Sequence, residues 1–203
     1  MAFETRYEAH YGDRVVRCFA DRPKGVDRLL RDAAARKPNG EALVDGDRRF
    51  IYAEFDRAAD TVAAGLAGRG IAPGDRVALL VGNRAEFAFA LMGALRAGAV
   101  VVPLNTREQK PEIEFNITNS GTRALIFESG LADRIPEAAS VPTLAHRFSV
   151  AGVVAGAEPF EALLAPAPAF AELPVEEEAP AVILYTSGTT GKPKGAVLTQ
   201  MSV

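Results

Sequence analysis

The run Val182-Ile-Leu-Tyr-Thr-Ser-Gly-Thr-Thr-Gly-Lys-Pro-Lys-Gly-Ala-Val-Leu-Thr199 places two apolar segments around a loop of unusual composition. Residues 181–185 read as a buried strand and 196–198 as a second short one. The ten residues between them, 186–195, hold four hydroxyls, three glycines, two lysines and a single proline to forgo a backbone N–H. Glycines let the backbone turn tightly and approach a ligand closely, and successive N–H groups and hydroxyls wrap anionic oxygens. Lysines add point charges suited to phosphate. The block therefore reads as a polyphosphate cradle, with a glycine-rich hairpin turn as the alternative.

The common P-loop is excluded. It needs a glycine five residues before its Gly-Lys pair and Ser or Thr after the lysine. Here Thr186 stands at the first position and Pro193 follows Lys192. Gly188 and Gly191 lack the spacing of the dinucleotide fingerprint.

Residues 185–195 match the signature loop of the adenylate-forming superfamily throughout, and the block resembles it closely. That superfamily includes acyl-CoA synthetases, luciferases and the adenylation domains of peptide synthetases, and its loop has the form Tyr-Thr-Ser-Gly-Thr-Thr-Gly-x-Pro-Lys-Gly. The resemblance implies that the loop holds the β- and γ-phosphates of ATP and then the leaving pyrophosphate. On that basis Thr186, Ser187, Gly188, Thr189, Thr190, Gly191, Lys192 and Lys194 are the expected nucleotide-binding residues. Lys194 and Thr190 are the expected catalytic ones, and Thr189 is the residue expected near Mg²⁺. Gln200 departs from the pattern, since the family usually has His soon after the second strand and often places it at the acyl-binding side.

With 203 residues, 48% of them hydrophobic and 24% charged, the chain suits an ordinary globular protein able to bury a core. A net charge of −3 argues against a nucleic-acid partner. No apolar run has the length of a membrane span and the start is not a secretory leader, so the cytoplasm is the expected location. Cys18, the lone cysteine, reads as a packed or partly exposed thiol.

Upstream of the loop, residues 1–25 read as a polar, irregular arm. A helix is predicted over 27–36, then a hairpin over 42–52 about Gly46-Asp47. A long helix carrying Phe55, Ala58, Val62 and Leu66 on one face ends at Gly68 and Gly70. Continuous apolar strands at 77–81, 100–104 and 124–127 alternate with helices, one with Asn83 as its expected cap and one over 110–119. Strands buried on both faces and separated by helices predict a mostly parallel, doubly wound α/β sheet ending in a strand–phosphate loop–strand hairpin.

Between 131 and 180 lie seven of the 13 prolines and the run Glu176-Glu177-Glu178, so 166–181 reads as a surface connection whose acidic run is solvated. Short pieces of strand are expected at 148–150 and 153–154 and a helical turn at 159–164. His10 and His146 read as unpartnered surface or structural residues, and Asp45 and Asp47 as turn formers. Asn105, Thr106 and Arg107 read as strand-end caps, at the edge where α/β folds place ligands. The expected division is 1–40 arm and helix, 41–165 α/β subdomain, 166–181 connection, and 182–203 phosphate-loop hairpin opening a second subdomain.

The blocks Gly-Asp-Arg-Val at 74–77, Leu-Arg-Ala-Gly-Ala at 95–99 and Val-Pro-Leu-Asn-Thr-Arg at 102–107 also resemble the first subdomain of an acyl-CoA ligase. The resemblance implies ATP and Mg²⁺ as cofactors, a carboxylic acid as substrate and coenzyme A as acceptor. It also implies that the metal-binding glutamate, the ribose-binding aspartate, the acyl pocket and the C-terminal catalytic lysine lie downstream. The chain alone is accordingly expected to be inactive, with its terminal hairpin mobile, paired to an edge of its own sheet, or paired to another copy in a homodimer. A non-catalytic remnant that binds nucleotide or protein, and an unrelated NTPase, are the competing readings.

Overall fold

The structure is a computed structural model that describes residues 3–166, 168–186 and 193–203. Its elements, in chain order, begin with strands β1 (Thr5–His10) and β2 (Arg14–Phe19), helix α1 (Val26–Arg36), strands β3 (Glu41–Asp45) and β4 (Arg48–Ile51), and helix α2 (Tyr52–Ala67). The alternating part follows as β5 (Arg76–Leu80), α3 (Ala85–Arg96), β6 (Val100–Pro103), α4 (Lys110–Ser120) and β7 (Thr122–Glu128). Strands β8 (His146–Val150), β9 (Glu158–Pro159), β10 (Pro180–Thr186) and β11 (Lys194–Thr199) complete the chain.

Seven strands form one sheet in the order β11-β10-β6-β5-β7-β8-β9. Every neighbouring pair is parallel except β10 with β11. The sheet is therefore mostly parallel, and the three apolar strands expected to be adjacent are its centre. Their unbroken hydrophobicity follows from having a helix layer on each face. Val77, Leu79 and Val81 join Val62, Leu66, Phe89 and Ala90 in the core beneath α2 and α3. Ala78 and Leu80 point the other way, into a second core with Ile113 and Ile117 of α4.

At one point α2 and α3 approach so closely that only glycine fits between them. A Cβ built on Gly93 would lie 2.4 Å from Val62 Cγ1 and 3.1 Å from the Ala59 carbonyl. We expect Gly93→Ala to be destabilising, because overpacking costs about 1–3 kcal/mol and exceeds the ~1 kcal/mol that alanine gains in helix propensity. Urea denaturation would measure it, and partial recovery in Gly93→Ala/Val62→Ala would trace the loss to this contact. An unchanged midpoint would show that the two helices spread freely.

Several expectations are corrected. Residues 5–19 are an antiparallel hairpin, with Thr5 opposite Phe19 and His10 opposite Arg14, where an irregular arm was expected. His10 is buried, 7% exposed, and both its ring nitrogens face carboxylates, those of Glu8 and Glu178, at 3.1 Å. The acidic run is not wholly solvated either. Glu177 accepts from Arg22 at 2.8 Å, and Glu178 also accepts the Tyr11 N–H at 2.9 Å. These pairs gain charge-assisted hydrogen bonds and fasten the N-terminal hairpin to the segment that leads into β10.

Asn83 does not cap α3. The helix starts at Ala85, whose N–H donates to the Asp45 carboxylate at 3.0 Å. A full negative charge at a helix N-terminus is the stronger partner, and it is supplied by the neighbouring hairpin. It also draws the Asp45 carboxyl below the usual range, an effect that Arg48 adds to. Residues 153–154 lie outside any strand, and the last parallel strand is β9 instead.

Candidate functional site

The terminal hairpin is not left unsupported. Val182 pairs in parallel with Val101 of β6, and Ala181 and Val182 are buried against the α2–α3 core. Of the outcomes expected from sequence, pairing with an edge of its own sheet is the one observed.

This pairing fixes where the loop emerges. Four residues beyond the Val182–Val101 pair lie Thr186 and Asn105, so at ~3.3 Å per residue both come out at the carboxyl edge of the sheet. The chain leaves β5 for α3 on one face and leaves β6 for α4 on the other. Adjacent strands whose connections diverge in this way open the crevice where doubly wound folds bind ligands.

Thr186 and Lys194 are register partners on the β10–β11 ladder and so bring the two ends of the loop together. The Thr186 hydroxyl donates to the Lys194 carbonyl at 3.4 Å. Beside them Gly195 is opposite Tyr185, and a Cβ there would meet Ile183 Cγ2 at 2.9 Å. The last glycine of the motif thus serves close backbone approach within the hairpin. Of the expected site residues, Thr186 and Lys194 are described, and both are exposed or partly exposed. Ser187, Gly188, Thr189, Thr190, Gly191 and Lys192 lie outside the described residues, including the expected metal neighbour Thr189.

One anchor of the hairpin has no signal in the sequence. The Tyr185 hydroxyl donates to Asn119 Oδ1 at 2.7 Å, and the Phe115 ring makes a T-shaped contact with the same tyrosine. Both partners lie on α4, so that helix braces the base of the loop. Burial pushes the Tyr185 phenol upward. Asn105 closes a local turn, its Oδ1 accepting from the Arg107 N–H at 3.0 Å, which agrees with its reading as a strand-end cap. Glu108 follows at the same edge. Burial pushes its carboxyl above the usual carboxylate range, an effect that hydrogen bonds from the Asn105 backbone and the Asn116 side chain partly offset.

Gln200 sits at the opposite end of β10, where its N–H donates to the Ala179 carbonyl at 2.9 Å. Its side-chain oxygen accepts the Val26 N–H at 3.1 Å, so this departure from the motif serves the start of α1. Among the described residues no helix is long and apolar enough to cross a membrane.

Comparison with known proteins bears on the same region. The family model described as AMP-binding enzyme matches residues 30–203. The long-chain-fatty-acid–CoA ligase FadD13 of Mycobacterium tuberculosis is 37% identical over 194 residues, covering 89% of this chain and 36% of the ligase. Among solved structures, the anthranilate CoA ligase AuaEII in complex with anthranoyl-AMP superposes with a TM-score of 0.84 at 27% identity, over 90% of this chain and 36% of that one. The apo structure of Mycobacterium smegmatis MbtA gives a TM-score of 0.81 at 38% identity, over 89% of this chain and 34% of that one. This chain spans about a third of the length of such relatives. With the signature loop matched through 185–195 and most of the α/β unit inside the family match, the chain belongs to the AMP-binding, adenylate-forming enzyme family.

Proposed function

We propose that this chain supplies the polyphosphate-binding portion of an ATP-dependent acyl-CoA synthetase of the cytoplasm. The reaction joins a carboxylate to ATP, giving an acyl-adenylate and pyrophosphate, and then passes the acyl group to the thiol of coenzyme A. The observation that carries the reading is the position of the signature loop. Its ends, Thr186 and Lys194, meet at the carboxyl edge of a doubly wound sheet, beside the end of β6.

When carboxylate oxygen attacks the α-phosphorus, negative charge gathers on the departing pyrophosphate. Preorganised donors aimed at that charge lower the barrier. The Lys194 ammonium fits this task, the Thr186 hydroxyl joins it by turning its proton from the Lys194 carbonyl to the phosphate, and we assign Ser187, Gly188, Thr189, Thr190, Gly191 and Lys192 to the same cradle. Mg²⁺ would neutralise phosphate charge, with Thr189 as its neighbour among these residues. The divisions 1–40, 41–165, 166–181 and 182–203 remain our proposed organisation. The N-terminal arm is a hairpin pinned to the connection, and the terminal hairpin completes the first sheet. A second copy, if one docks through that hairpin, would meet β11, the terminal strand of the sheet, where Val197 is 56% exposed.

Carboxylate-dependent ATP–pyrophosphate exchange tests the reading. A protein containing this chain together with the remaining length of its relatives is expected to exchange with at least one member of a panel of fatty and aromatic acids. The chain of residues 1–203 alone is expected to give none. Exchange by the short chain above a Lys194→Met control would overturn its proposed inactivity. ATP binding without exchange in the longer protein would favour the non-catalytic alternative.

A further inference from the structure

Tyr185 of β10 and Gly195 of β11 are register partners, and the phenol ring lies across the glycine, where an added Cβ would meet Cε1 and Cζ at 3.4 Å. One ring therefore covers both strands, one residue short of the pair Thr186–Lys194. The same ring makes a T-shaped contact with Phe115, and its hydroxyl donates to Asn119 Oδ1 at 2.7 Å. The terminal hairpin is thus tied to α4 by a side chain far from the signature loop in sequence.

Asn119 stands on a fixed support. Arg76 of β5 closes the end of α4, its guanidinium donating to the Ser120 carbonyl at 2.6 Å and the Gly121 carbonyl at 2.7 Å. A Cβ on Gly121 would meet Arg76 Nη2 at 2.6 Å, so the chain and the guanidinium interlock there. Ile113 and Ile117 bury the inner side of the helix in the second core.

The hairpin needs such a tie. β11 reaches the sheet through β10, and β10 joins β6 at the pair Val182–Val101. Thr186 and its partner Lys194 lie four residues beyond that pair. At ~3.3 Å per residue this is a lever of about 13 Å, on which a rotation of about 5° moves the end by about 1 Å. A displacement of that size is enough to cost much of the rate of a positioned reaction. A second point of attachment, on another element, removes the rotation.

Within the function proposed above, we propose that Asn119 is a positioning residue for pyrophosphate departure. By holding the Tyr185 hydroxyl it fixes the direction of the β10–β11 ladder, and so aims Lys194 at the polyphosphate. It touches neither ATP nor the acid, and acts only through Tyr185.

Two measurements test this. In the present chain, amide hydrogen exchange over 182–186 and 194–199 should quicken about fivefold in Asn119→Ala and in Tyr185→Phe, as loss of one neutral hydrogen bond does, while β5 and β7 keep their protection. Asn119→Asp retains an acceptor for the phenol and should restore wild-type protection. In the longer ligase, carboxylate-dependent ATP–pyrophosphate exchange should fall about fivefold in Asn119→Ala and in Tyr185→Phe, no further in the double variant, and recover in Asn119→Asp. Melting should stay unchanged in Asn119→Ala, because Asn119 is exposed. In a Lys194→Met background Asn119→Ala should cost less than about a further twofold, since the lysine it aims is gone. Wild-type protection in Asn119→Ala would overturn the tie. Lost protection with undiminished pyrophosphate exchange would overturn the positioning role, as would an equal loss in Asn119→Asp or an undiminished loss in the Lys194→Met background. Full pyrophosphate exchange in Lys194→Met alone would instead overturn the function on which this role rests, whether or not Asn119 holds the hairpin.

Discussion

Arg96→Ala is expected to lower the stability of this chain by about 3 kcal/mol, the lower end of what removing one partner from a buried ion pair costs. The Arg96 side chain is 0% exposed and lies where α1, α2 and α3 meet. It donates to Asp27 at 2.7 Å, to Asp56 at 2.6 Å, to Asp60 at 2.7 Å and to the Asp56 carbonyl at 2.8 Å. Alanine would leave three carboxylates from two other helices facing one another, with the guanidinium of Arg31 shared between two of them. Arg31, 2.8 Å from Asp27 and 3.5 Å from Asp60, keeps part of the balance, and the aspartates reach some solvent, so the lower end is the right expectation. Lysine should recover only part of the loss, because a point charge cannot reproduce the planar fork that serves three acceptors at once. Chemical denaturation of wild type, Arg96→Ala and Arg96→Lys measures this. A loss under 1 kcal/mol for alanine would mean that the carboxylates turn outward to water with little resistance.

Arg96 lies in the block 95–99 that resembles the family, but nothing in the sequence shows its ion pairs. A basic residue at the end of an apolar helix suits the helix dipole and reads as exposed, and its acidic partners are 36 to 69 residues away. The same limit explains the N-terminal hairpin. Its strands show little hydrophobic alternation, because the face turned inward carries Glu8, His10 and Cys18, and His10 finds its partner in Glu178, 168 residues on. Asp45 at α3 and Asn119 beneath Tyr185 are further cases, each a polar contact between elements that spacing along one element cannot reveal. What was legible has local causes. The central strands must be apolar on both faces, which writes an unbroken run such as 77–81, and Gly121 ends α4 with a φ of 63°, as a left-handed cap requires. The signature loop of the family, 185–195, was legible for a related reason, since its motif is written in consecutive residues. Where its described ends, Thr186 and Lys194, emerge was not, because that depends on the parallel pairing of Val182 with Val101.

That pairing sets the expected size of the effect at Lys194. Under the proposed function, Lys194→Met in the longer ligase should lower carboxylate-dependent ATP–pyrophosphate exchange by about 10²–10³-fold, the range for deleting one preorganised donor at developing negative charge. Preorganisation has visible sources. Lys194 is the first residue of β11, its backbone paired with Thr186, and the next residue packs so tightly against Ile183 that only glycine fits. Tyr185, tied to Asn119, holds the facing strand. The lysine is therefore delivered to the carboxyl edge of the sheet by a ladder that does not need to rearrange during the reaction. Because its side chain is exposed, methionine at this position should change stability little, within the roughly 0.5 kcal/mol usual for surface sites. Lys192→Met should give the milder loss, since the family motif fixes a lysine at the position of Lys194 and leaves the position of Lys192 variable. Equal and mild losses for the two variants would remove the ranking. Unimpaired exchange in Lys194→Met, with melting behaviour unchanged, would remove the assignment of this lysine to the departing pyrophosphate.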